Sequence, residues 1–414
     1  MMKRFLPVLG ALVLVAAVVA VVVWQRSDSK AALAPSGDVV LQYADGSQLW
    51  HWGEPETPLV KQVTGELGTK AAMSLDQLRR SGGAIVVTTI DRRAQTGAVD
   101  VIRTIAAGEP VSLRYSITAV DPNNGAVKAY APGNEPSVDY AGGVLKEPGS
   151  AFFPFDVVAA LQAGKTLDST YDGRSPRRFG QVAISDRANC GERCTVRDAL
   201  LKSGNVAMYD MVLNDVGIKP VVTAARQAGV PESVDVDGKK TKLLVGEGEN
   251  VPNAEVSLGA SEARMRPLDL AAAYATFAAQ GTRHEAHFIT HVTDVNGTTL
   301  YRAVTTGTPA FDPDPVRSKD IANQITSALR TDAGCGALTS DGACRYGEWR
   351  PGVPDQEQVS HAWMVVYDPR ISVSVFVGSD KPATPAVDRD GKAVVGSGLP
   401  NKLSDAFEDK LSQW

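Results

Sequence analysis

Histidine and cysteine are scarce in this chain of 414 residues, five and four respectively, and aromatic residues make up only 6%. Base is not in excess either. Lys and Arg number 42 against 47 Asp and Glu, a formal net charge of −5. Proteins that grip nucleic acid show clustered basic stripes, so this balance argues against that class of partner. Three of the histidines, His284, His287 and His291, are neighbours, but they fall at the start of a strand-like stretch, "HFITHV", not on one helix face. That suits a solvated loop and strand edge better than a metal site or a triad, and neither metal nor cofactor is expected. No internal repeat and no low-complexity tract is visible. With 43% hydrophobic and 21% charged residues, the composition is that of an ordinary globular protein.

One long apolar run stands out. Phe5 to Trp24 carries no charge and follows Lys3 and Arg4. About 20 such residues match the hydrocarbon thickness of a bilayer, and the basic start keeps the short N-terminus cytoplasmic. Residues 1–28 are therefore expected to be a cytoplasmic tip and a transmembrane signal anchor, with the rest of the chain extracytoplasmic. The competing reading is a cleaved signal peptide, for which Ala32 and Ala34 offer a processing site, although they lie well past Arg26. The cysteines fit export under either reading. Cys190 lies near Cys194, and Cys335 near Cys344, so an oxidising compartment permits two short-loop disulfides. Zinc binding competes, but the spacing is not that of paired C-x2-C ligands and no histidine adjoins either pair.

After a polar tether, residues 29–83 read as a linker with one β-hairpin, "VVLQYADGSQLWHW", turning at Asp45-Gly46, and a short helix over 62–83 ended by "RRSGG". From Ala84 to the C-terminus strands come first and last with a helical block between. The expected fold is α+β, a central antiparallel sheet flanked by helices. "RPLDLAAAYATFAAQG" is a helix with Pro267 at its start and Gly281 past its end, and its Tyr274 and Phe277 are core. Hairpins are expected around "DPNNG", Asn296-Gly297 and Asp368-Pro369.

Six blocks in order carry a resemblance: "VVTTIDRRAQTGAVDVI", "AVDPNNGAVKAYAPGN", "KEPGSAFFPF", "LLKSGNVAMYD", "SLGASEARMRPLDLAAAYATFAAQG" and "SHAWMVVYDPRISVSVFVG". Together they resemble the transpeptidase domain of class A penicillin-binding proteins, over residues 84–414. The resemblance implies a β-lactamase-like fold and a site acting on peptidoglycan outside the cytoplasm. Class A members carry a glycosyltransferase domain ahead of this one. Here only residues 29–83 stand between the apolar run and the likeness, so that activity is expected to be absent.

Enzymes of this kind acylate a serine through three motifs, S-x-x-K, S-x-N and K-T-G. A serine at a helix start places its hydroxyl beside free N–H groups. A lysine at i+3 lies one turn along the same face and, desolvated, takes the serine proton. The resemblance places Ser150 as that serine. Phe153 stands in the lysine position, and losing a positioned base costs about 10²–10⁴ in rate. Lys146, before the turn, and Lys202, beside the second motif, are poor substitutes. A plain helix N-cap is the competing reading for Ser150. The second motif is intact as Ser203-Gly204-Asn205, the serine a proton relay and the asparagine a partner of the substrate amide, with an ordinary interhelical loop as the bland alternative. For the third, Arg345, Tyr346, Gly347 and Glu348 in "CRYGEW" replace Lys-Thr-Gly-Thr, followed by the insertion "RPGVPDQEQVS"; "TSDGA" is a weaker candidate. Arg345 keeps a cation and Gly347 keeps room for a peptide. Glu348 puts a carboxylate where the family binds one, a repulsion of about 1 to 4 kcal/mol at ~4 Å.

The expected function is that of a membrane-anchored homologue in cell-wall synthesis or its regulation, binding stem peptides or β-lactams, or other cell-wall synthesis proteins, rather than processing them. The alternatives are an active transpeptidase or carboxypeptidase with an unusual base, and a structural envelope interaction protein.

Overall fold

The computed structural model describes residues 37–135, 137–187, 189–236, 238–330, 343–349, 359–381 and 384–412, with 346, 348 and 349 described by backbone alone. The expected anchor lies outside the described residues. Among those described, no helix is long and apolar enough to cross a membrane.

Two five-stranded sheets organise the molecule. Their strands are β1 (Val39–Gln42), β2 (Gln48–His51), β3 (Ala84–Thr88), β4 (Leu113–Val120), β5 (Val127–Ala131), β6 (Ile289–Asp294), β7 (Thr299–Arg302), β8 (Ala343–Trp349), β9 (His361–Asp368) and β10 (Ile371–Ser379). The main sheet runs β8-β9-β10-β4-β5 and is antiparallel throughout. The second runs β7-β6-β3-β1-β2, and its β1–β3 pair is parallel. The N-terminal hairpin forms as its Asp45-Gly46 turn predicts. It is not a separate appendage, however, because β1 lies against β3. The single short helix expected over 62–83 is two helices. α1 (Pro58–Lys70) is capped by Thr57, and α2 (Leu75–Arg80) is opened by a capping box between Ser74 and Gln77. α1 docks through Leu59, Val60, Val63 and Leu67, and buried Glu66 accepts the N–H groups of Phe288 and Ile289 at 2.7 and 3.0 Å.

Alternation in the main sheet feeds two cores. On β9, Ala362, Met364 and Val366 face α3 (Arg92–Ala106) and the closing helix α10 (Leu399–Ser412), while Trp363, Val365 and Tyr367 face the helical block. That block comprises α4 (Phe153–Gln162), α5 (Val196–Lys202), α6 (Asn205–Met211), α7 (Ile218–Ala228), α8 (Pro267–Ala278) and α9 (Pro315–Leu329). α8 carries a run of alanines and lies against strands whose inward residues there are small, such as Ser372 on β10, whose hydroxyl donates to the Ala271 carbonyl at 2.8 Å. Small residues on both sides let the helix approach closely. Tyr274 and Phe277 are buried, as expected. The hairpins at "DPNNG", Asn296-Gly297 and Asp368-Pro369 are present.

His287 corrects the sequence reading. It is 4% exposed, not a solvated loop residue, because its backbone bridges to Gly125 and Val127 beside the second sheet. Cys190 and Cys194 form a disulfide. Cys344 is also disulfide-bonded, and its expected partner Cys335 lies outside the described residues.

Candidate functional site

The turn before Ser150 is gauged by main chain. Lys146 exchanges both backbone hydrogen bonds with Met265 at 3.0 Å, and the Gly149 N–H donates to the Gly259 carbonyl at 3.0 Å. Gly259 has φ +64, and a Cβ there would stand 2.0 Å from the Gly149 oxygen. On the other side, a Cβ at residue 347 would stand 2.0 Å from the Pro148 oxygen. Both positions therefore need glycine. Ser150 sits in a single 3-10 turn, Gly149–Phe152, with no side-chain cap bond, and α4 begins at Phe153. The N-cap reading of Ser150 fails because Gly149 starts the turn at φ +55, one residue before the serine.

Thr195 caps α5 through a hydrogen bond from the Asp198 N–H. The helix ends at Ser203 in the left-handed region, φ +54. That conformation, uncommon for a non-glycine residue, turns the Ser203 hydroxyl to Ser150, and Oγ donates to Oγ at 3.3 Å. Asn205 opens α6, but its Nδ2 donates to the Ser185 carbonyl at 2.9 Å. One amide hydrogen is thus committed to the neighbouring strap, and the side chain has a second N–H and its Oδ1 besides. Asp186, next in that strap, accepts the Val206 N–H at 3.2 Å, and burial pushes its carboxyl up to about 6.

The "CRYGEW" stretch is the edge strand β8, as expected, with Gly347 opposite Trp363, Tyr346 opposite Met364 and Glu348 opposite Ala362. The expectations for the side chains of Tyr346 and Glu348, and most of the "TSDGA" and "RPGVPDQEQVS" stretches, lie outside the described residues. Arg345 is 2% exposed. Its Nε donates to the Ser150 carbonyl at 3.0 Å and its Nη2 to Ser203 Oγ at 2.9 Å. The guanidinium carbon lies 5.5 Å from the ring centroid of Phe153, which is fully buried. Ser150, Ser203, Phe153, Arg345 and Gly347 are thus brought together, with Asn205 at the rim. Lys202 turns away and pairs with Asp198 at 3.3 Å. Lys146 is half-buried, and desolvation lowers its amine.

The transpeptidase family model matches residues 115–348, under the description penicillin binding protein transpeptidase domain. The chain belongs to this family.

Two curated relatives are penicillin-binding proteins 1A. That of Mycobacterium tuberculosis is 34% identical over 86% of this chain and 43% of its own length. That of Mycolicibacterium smegmatis is 33% identical over 86% of this chain and 45% of its own. The chain spans under half the length of these relatives. Among solved structures, the PonA1 protein of M. tuberculosis in complex with penicillin V is similar at TM-score 0.77 and 32% identity, over 86% of this chain and 93% of that one. PBPA of the same organism, at 18% identity and TM-score 0.70 over 92% of this chain and 100% of that one, shares the fold. The α+β transpeptidase fold is therefore secure.

Two features of this transpeptidase domain carried no signal in the sequence. One is the stacking of Arg345 on Phe153, residues from opposite ends of the domain. The other is Asp156, one turn past Phe153 on α4. It is fully buried, has no hydrogen-bond partner on either oxygen, and is held well above the usual carboxylate range by burial. Among the described residues, no group of three or more His, Cys, Asp or Glu side chains is placed to hold a metal ion.

Proposed function

We propose that this chain is a membrane-anchored, extracytoplasmic homologue of the penicillin-binding proteins, acting in cell-wall synthesis or its regulation. Its site receives stem peptides or β-lactams and processes them poorly. The observation that carries this reading is the direction of the hydrogen bonds around Ser203. Arg345 donates to Ser203, and Ser203 donates to Ser150. A proton leaving Ser150 along this path would have to move against both bonds and would meet a guanidinium, which has no acceptor site to receive it. The position one turn after Ser150 holds a phenyl ring, which accepts no proton. The retained fold and the glycine edge, which leaves room for a peptide backbone, favour recognition of a peptide over its chemistry. Other cell-wall synthesis proteins are the further partners this reading admits.

Incubation of the extracytoplasmic domain with a fluorescent penicillin, followed by a denaturing gel, tests it. No stoichiometric band is expected, while calorimetry with a D-Ala-D-Ala peptide detects binding. A band that disappears in Ser150→Ala would overturn the reading. It would favour the second, an active transpeptidase or carboxypeptidase, for which the Ser150–Ser203 hydroxyl contact is the supporting observation.

A further inference from the structure

Two ring N–H groups from β9 converge on one carbonyl. Trp363 Nε1 donates to the Glu147 oxygen at 2.9 Å, and His361 Nε2 meets the same oxygen at 2.8 Å. A carbonyl oxygen has two lone pairs, so both are filled. Residues 361 and 363 lie on the same face of the strand because side chains alternate along it.

The chemistry of the acceptor settles the tautomer of His361. A carbonyl only accepts, so Nε2 carries the hydrogen and Nδ1 is bare. Nδ1 lies 2.9 Å from Ser360 Oγ, whose hydroxyl then donates to it. The ring is fully enclosed, and desolvation lowers its pKa to about 3, so it stays neutral. Space for it is made across the ladder by Gly378, paired with His361, where an added Cβ would stand 2.6 Å from the His361 Cβ. The ring also packs 5.7 Å from Phe376. This is a seat for one donor aimed at one acceptor.

That acceptor belongs to the peptide bond between Glu147 and Pro148, three residues before Ser150. Pro148 offers no N–H, so the orientation of this peptide plane rests on its carbonyl. The next links are Gly149 at φ +55 and then Ser150. We propose that His361 is a positioning residue for Ser150. It acts through the Glu147 carbonyl to set the direction from which the serine enters the site. The proposal concerns the site discussed above and rests on that reading only in taking Ser150 as its centre.

Hydrogen exchange tests it without any ligand. In the extracytoplasmic domain, His361→Phe removes the donor and keeps a ring. The Gly149 and Ala151 amides, bonded to the Gly259 and Pro148 carbonyls, should then exchange about five- to tenfold faster. The β10 amides should keep their protection. His361→Gln, which returns a side-chain N–H, should bring the rates back to within about twofold of the parent. Unchanged exchange in His361→Phe overturns the proposal, as does failure of His361→Gln to recover the slow rates. Should His361→Phe fail to fold, Trp363→Phe removes the other donor to the same oxygen and is read in the same way. Absence of peptide or penicillin binding in the parent domain would count against the functional reading and leave this measurement intact.

Discussion

The guanidinium of Arg345 lies over the ring of Phe153, so an ineradicable positive charge covers the spot where a base would stand. A lysine at 153 would be desolvated and would sit beside that cation. Both effects lower an amine's pKa and favour its neutral, proton-accepting form. Phe153→Lys is therefore expected to raise the rate of penicillin adduct formation at Ser150 by about 10²–10⁴, while Phe153→Met leaves it unchanged. Time courses of fluorescent penicillin labelling measure this. A Phe153→Lys protein that labels no faster than its parent would overturn this expectation.

Gly259→Ala and Gly347→Ala each place a methyl group 2.0 Å from a backbone oxygen of the serine turn. Backbone cannot swing aside as a side chain does, so each should cost about 1–3 kcal/mol by overpacking. Gly259→Ala should be the worse of the two, because its φ of +64 disfavours any Cβ. Thermal unfolding reads both; equal stability to the parent would show that the turn can relax.

How much of this was legible in the sequence depends on range. Local chemistry announced itself: the Asp45-Gly46 and Asn296-Gly297 turns, and Pro267 and Gly281 as helix limits. Ordered motifs located Ser150 and Ser203. What the sequence concealed lies in contacts between distant segments. The parallel pairing of β1 with β3, and the antiparallel pairing of β3 with β6, leave no periodic mark. Neither does Arg345 on Phe153, which joins a strand near the end of the domain to a helix near its start. Ser150 was ambiguous as a helix cap because the 3-10 turn is set by the φ of Gly149, which residue type alone permits but does not specify.

Glu66 holds α1 to the second sheet by accepting two backbone N–H groups. Glu66→Ala leaves both donors buried without a partner, at about 1–3 kcal/mol each. Exchange of the Phe288 and Ile289 amides should accelerate before the main sheet opens. Simultaneous loss of protection everywhere would show instead that α1 and the main sheet unfold as one unit.

Burial pushes the Glu408 carboxyl on α10 up to about 8, its bond from Ser404 notwithstanding, and Asp186 moves in the same direction. A carboxyl raised on folding stabilises the folded form when protonated. Its contribution is complete below the ordinary carboxylate range near 4.5 and is lost as pH rises to about 8. The melting temperature should therefore fall between pH 5 and pH 8, and Glu408→Gln should flatten that fall. A profile identical in parent and variant refutes the assignment.

The Cys190–Cys194 bond closes a very short loop, and the chain-entropy model assigns such a loop ~2 kcal/mol. In the sequence it follows the strap whose Ser185 carbonyl holds Asn205. Cys190→Ser with Cys194→Ser should lower the melting temperature by several degrees and speed exchange at Val206, whose N–H the same strap accepts. A lowered melting temperature with Val206 unaffected would separate the bond from the strap.

The close approach of Gly259 and Gly347 to the serine turn uncouples two properties that usually disappear together. Where residue 150 points is decided by main chain and by the two rings that hold the Glu147 carbonyl, and what happens there is decided by the other side chains hung around it. A molecule built this way can shed a reaction and still keep the address at which it took place, becoming a receptor by subtraction.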